Sequence, residues 1–100
     1  MEKSKYSDNR LAEELDVIVL INNSHKECGL PSGSLGALTY SYTGRGRPLY
    51  GQFTTTDGEK REERLKLHDF RVLNENNLRD LSLIARYWQQ TANASPKNQA

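Results

Sequence analysis

The chain is 100 residues long, enough for one small domain and too short for a two-lobed enzyme. Its 14 basic and 13 acidic side chains leave a net charge of +1, which excludes a strongly basic nucleic-acid coat. Apolar residues make up 35% and gather in strand-length runs, which excludes a fully disordered chain.

Cys28 is the single cysteine, so no internal disulfide forms and the core alone must hold the fold. That fits a reducing compartment. No apolar stretch approaches the roughly 18 residues of a membrane-spanning helix. Met1 to Tyr6 is charged and is followed by no apolar stretch, unlike a secretory signal. The expectation is a soluble cytoplasmic protein without a membrane segment.

Residues 1–14 are polar and predict a flexible N-terminal tail, with one helical turn over Leu11–Leu15. Leu15–Ile21 is short, β-branched and almost wholly apolar, the pattern of a buried strand. Asn22–Ser34 predicts a long loop that bends at Gly29, Pro31 and Gly33, with Leu30 tucked beneath the sheet. Leu35–Tyr42 predicts a strand with Leu38, Tyr40 and Tyr42 on one face. Gly36 at its start marks a bulge or a close backbone approach.

Thr43–Pro48 predicts a hairpin tip, with Gly44 and Gly46 flanking Arg45. Leu49–Thr54 is the return strand, and Leu49, Gly51 and Phe53 share one side. Asp57-Gly58 is the clearest hairpin signal in the chain. Glu59–Leu67 has helical propensity, but its place after Asp57-Gly58 predicts a strand with Leu65 and Leu67 inward. Val72 and Leu73 make a last short strand.

From residue 75 to 90 the period becomes helical. Asn76 or Asn77 is the expected N-cap. Leu78, Leu81, Ile84 or Ala85, and Trp88 form the expected stripe. Residues 91–100 are polar and predict a disordered tail.

Five short strands with a long first loop, two hairpins and a close-spaced final strand give the order of a small SH3-like barrel over residues 15–74. Leu15–Ile21, Gly29–Leu38 and Leu67–Leu73 carry a further likeness. They resemble, respectively, the opening strand, the glycine-rich step and the closing strand of uncharacterised prokaryotic SH3-like domains. More distantly, the pattern is similar to KOW-type barrels. Ser34 stands where the family often has an acidic residue, and the helix is additional. The fold class expected is therefore mainly β: a five-stranded SH3-like barrel with an added C-terminal α-helix. The resemblance implies an accessory, immunity-like or inhibitor protein of a mobile element, acting by protein contact.

His25, Cys28 and His68 are candidate metal ligands, and His25-x-x-Cys28 has the spacing of half a zinc site, but the second half is missing, so no metal and no cofactor is expected. Cys28 with His25 or His68 lacks a recognisable orienting group, so the chain is read as non-enzymatic, with no small-molecule substrate. Arg45 and Arg47 lie on a glycine-flanked tip suited to oxyanions. Tyr40, Tyr42 and Tyr50 lie nearby and are able to stack on bases. Trp88, beside Tyr87, is an interface anchor or a core residue. These residues, Arg45, Arg47, Tyr40, Tyr42, Tyr50 and Trp88, are the expected partner-binding set. A protein is the first expectation for the partner, and a nucleic acid bound in the KOW manner is the second.

Overall fold

In a computed structural model, residues 4–40 and 49–94 are described. Five antiparallel strands form one sheet: β1 (Val17–Leu20), β2 (Leu35–Tyr40), β3 (Leu49–Thr54), β4 (Lys60–Leu65) and β5 (Phe70–Val72). One α-helix, α1 (Leu78–Ala94), follows. The spatial order is β4-β3-β2-β1-β5, so β1 is interior and β4 and β5 are the edges. The two edges are not hydrogen-bonded to each other; the sheet is open.

Although β4 and β5 are opposite edges, only residues 66–69 link them in sequence. The sheet therefore has to curl, and Leu65 of β4 and Phe70 of β5 enter the same core. That core also takes Ile18 and Leu20 of β1, Leu38 of β2, Phe53 of β3 and Val72 of β5. Leu30 plugs it from the first loop, fully buried as expected. The alternate residue of β1, Val19, packs with Leu35 and Leu73 in a second cluster. Val17, Leu83, Ile84 and Tyr87 close over that cluster. An interior strand apolar on both faces is what the uninterrupted Val17–Leu20 run encodes.

Phe53 explains two glycines. A Cβ at Gly36 would lie 2.4 Å from Phe53 Cδ1 and 2.6 Å from the Gln52 carbonyl oxygen. A Cβ at Gly51 would lie 2.7 Å from Phe53 Cε2 and 2.9 Å from Leu65 Cδ1. The ring is in the way at both positions, so the expected close approach at Gly36 is met.

The strand expected over Glu59–Leu67 forms at Lys60–Leu65, paired with β3 from Leu49↔Leu65 to Thr54↔Lys60. Asp57 and Gly58 lie in its hairpin loop, where Gly58 takes φ 87°. Helical propensity yields here to the turn and to pairing. Leu67 departs from the expectation of an inward residue. It falls in the turn after β4 and is exposed. Leu15 departs too: it has φ 76°, lies before β1, and is 76% exposed.

Residues 1–14, expected as a tail, pack against the sheet over their described part. Asp8 caps a 3-10 turn at Asn9–Leu11. Asn9 Nδ2 donates to the carbonyls of Leu67 and Phe70, each at 2.6 Å. Ala12 is buried in the main core with Tyr6 against it. Small polar caps rather than a run of apolar residues hold this segment, so hydropathy alone passes over it.

Candidate functional site

The expected arginine tip, Arg45 and Arg47, lies outside the described residues, as does Tyr42. Tyr40 ends β2 opposite Tyr50, after a register shift that follows Leu38. Tyr50 is half-buried on β3 and also pairs in register with Arg64. Trp88 is far along α1, 58% exposed, with its ring edge-on to Tyr87 at 5.0 Å.

α1 begins at a side-chain cap. Asn77 Oδ1 accepts from the amides of Arg79 and Asp80. In the first turn, Asp80 is 4% exposed and takes both Arg71 guanidinium nitrogens, at 2.9 and 3.0 Å, with the Asn74 amide at 2.9 Å. The Arg71 hydrogen bonds hold the Asp80 carboxyl below the usual carboxylate range, against the opposing effect of burial. This anchor fixes the rotation of the helix. Asp80, Leu83, Ile84 and Tyr87 then face the sheet side.

The expected core stripe of Leu78, Leu81 and Ile84 is corrected accordingly, and Trp88, left open between core and interface, lies exposed. Of that stripe, only Ile84 packs on the sheet. Leu78 is 86% exposed and Leu81 46%. Leu78, Leu81, Ala85, Trp88 and Ala92 are all exposed and follow alternating steps of three and four. That spacing is the seam of a coiled coil. The apolar arc of α1 is wider than the sheet covers. Beside it, Leu15 and Trp88 line a groove of about 310 Å³ with Val17, Leu73 and Ile84.

A second site lies where the first loop meets the turn between β4 and β5. Asp69, 2% exposed, is its hub. It accepts from the Lys66 amide at 2.9 Å and Asn22 Nδ2 at 3.1 Å, and contacts His25 Nε2 at 3.3 Å. Burial pushes its carboxyl upward, but those three partners outweigh burial and leave it below the usual range. His25 Nδ1 is 3.5 Å from Glu63 Oε1, and Glu63 also pairs with Arg61. His68 Nε2 is 3.6 Å from Asp69 Oδ1. Next to the hub opens a cleft of about 620 Å³. Leu49, Leu65 and Leu67 supply its apolar lining, and His25, Arg64, Lys66 and His68 its basic groups.

The sequence brings His25 and His68 into question only as partners of Cys28, and passes over Asp69. The only local signal was Lys66-Leu67-His68-Asp69, a four-residue turn with Asp at its end. Among the described residues, no group of three or more His, Cys, Asp and Glu is placed to hold a metal ion. No described helix is long and apolar enough to cross a membrane. Comparison with family models, with curated proteins and with solved structures gives no match for this chain.

Proposed function

We propose that the protein is a small non-enzymatic protein-binding module, built on an SH3-like barrel left partly open between β4 and β5. The observation that carries this reading is the exposed ridge of Leu78, Leu81 and Trp88 on a helix whose other face is already packed. Large apolar side chains lined up on one exposed face mark interaction surfaces. Their three-four spacing fits a helix of a partner protein, and Trp88 is the anchor. The flanking Ser82, Ile84, Gln89 and Thr91 bear no charge that would repel such a helix.

The curl of the sheet around one core supports the barrel assignment. The resemblance of the Leu15–Ile21 segment and the Gly29–Leu38 step supports an accessory, immunity-like or inhibitor role in a prokaryotic cytoplasm.

The test is capture of a partner by the full chain beside a Leu81→Ser/Trp88→Ala variant, each with and without nuclease. Loss of the same protein from the variant at an unchanged melting temperature supports the reading. Capture that survives the double substitution, or that disappears with nuclease and falls steeply with salt, replaces it with a nucleic-acid module.

A further inference from the structure

The cleft beside Asp69 shares no residue with the α1 ridge. The acids around it are already answered. Both Asp69 oxygens have partners from Lys66, Asn22 and the two histidines. Glu63 lies between Arg61 and His25. The bases are not answered. The side chains of Arg64 and Lys66 make no hydrogen bond or ion pair with a described residue, and both residues line the cleft. His68 stands over the same opening with its side chain 73% exposed.

Arg64, Lys66 and the His68 imidazole thus line an opening whose remaining lining is Leu49, Leu65 and Leu67 with Ser24, His25 and Asp69. Its volume falls within the roughly 300–1,000 Å³ of small-ligand clefts. A guanidinium grips a phosphate through two parallel hydrogen bonds, and an ammonium adds a point charge. The side-chain bond of Asp69 to His25 and its bond to the Lys66 amide make the cleft wall from two separate loops, so the basic groups are presented by a braced frame.

We propose that this cleft binds a small organic phosphate monoester. The phosphate lies among Arg64, Lys66 and His68, and the apolar or flat body of the molecule lies against the exposed Leu67, with the buried Leu49 and Leu65 behind it. A phosphate monoester carries about −1.5 to −2 charges at neutral pH, which matches the two unanswered cations. A free carboxylate would leave one of them without a partner.

The experiment is an amide-resolved NMR titration of the full chain with AMP, adenosine and inorganic phosphate as separate probes. AMP is expected to give saturable shifts at residues 64–69 and at Ser24 and His25, with inorganic phosphate about tenfold weaker at the same amides and adenosine weaker still. Arg64→Ala with Lys66→Ala should lower AMP affinity by about tenfold or more without moving the melting temperature, since both side chains are exposed. Three results would overturn the proposal. They are no saturable AMP shift at these amides, adenosine binding as tightly as AMP, and inorganic phosphate binding as tightly as AMP. An AMP affinity unchanged in the double variant would also overturn it.

Discussion

Arg71 and Asp80 are joined at two points, and through them the edge strand β5 holds the first turn of α1. Asp80 lies beneath the Asn77 cap, at the end of the helix where a negative charge is favoured. One carboxylate therefore satisfies a guanidinium, the Asn74 amide and the helix dipole together.

Asp80→Asn is expected to lower stability by about 1–3 kcal/mol, because the buried position loses a charged acceptor while Arg71 remains. Arg71→Met should also destabilise, by stranding the buried carboxylate. The double variant should lose less than the sum of the two, since neither group is then left without its partner. Thermal melts of the three proteins check this. Strictly additive losses would show that the pair does not couple strand to helix.

Gly36 is held to glycine by the ring of Phe53. Gly36→Ala places a methyl where Phe53 and the Gln52 carbonyl already are, and the carbonyl belongs to backbone that cannot swing away. The expected cost is about 1–3 kcal/mol, as for other overpacked cores. Phe53→Leu in the same chain should recover part of it. A melt for Gly36→Ala equal to that of the parent protein would show that the strands part without strain.

Ile84→Ala should cost about 2 kcal/mol or more, because Ile84 packs on Val19, Leu35 and Leu73. Leu81→Ala should cost less than Ile84→Ala, under about 1 kcal/mol, because Leu81 is 46% exposed and packs in neither core cluster. Chemical denaturation of both variants separates the two positions.

The contrast also marks what the sequence could reveal. The apolar residues of α1 span two adjoining stripes, one with Ile84, Leu83 and Tyr87 and one with Leu78, Leu81 and Trp88. Both have helical spacing, so hydropathy cannot say which one faces the sheet. The choice is made by Asp80, a charged residue that periodicity counts as surface and that Arg71 draws inward. The strands were easier to read. Val17–Leu20 is uninterrupted because both of its faces are covered, and Asp57-Gly58 fixes the β3–β4 hairpin locally. The cleft was not legible, because His25, Arg64 and Asp69 come together only when the first loop folds across the turn after β4. Ala12 escaped notice for a related reason. A single small residue in a polar segment gives no period, yet here it completes the core.

Asp69 supplies the last prediction, and it concerns acid. Its folded pKa and that of Asp80 both lie below the ordinary carboxylate value, so each group binds its proton more weakly in the folded chain than in the unfolded one. The stability they contribute is complete above the unfolded carboxylate pKa, about 4, and is lost as pH falls through the folded values. Melting temperature should therefore stay level down to about pH 5 and drop below about pH 4. Asp69→Asn should lower stability at neutral pH and flatten that drop. It keeps the shape of the side chain and its acceptor oxygen but removes the charge that His25, Asn22 and the Lys66 amide are arranged around. Asp69→Ala should cost more at neutral pH, about 2–4 kcal/mol, since it also leaves the Lys66 amide and Asn22 without their acceptor. His25→Ala removes one of the partners and should cost less than either. An acid limb as steep in Asp69→Asn as in the parent chain would assign the acid sensitivity to Asp80 or to other carboxylates. In that event the first loop and the turn after β4 would be held together by packing, with no contribution from the charge at Asp69.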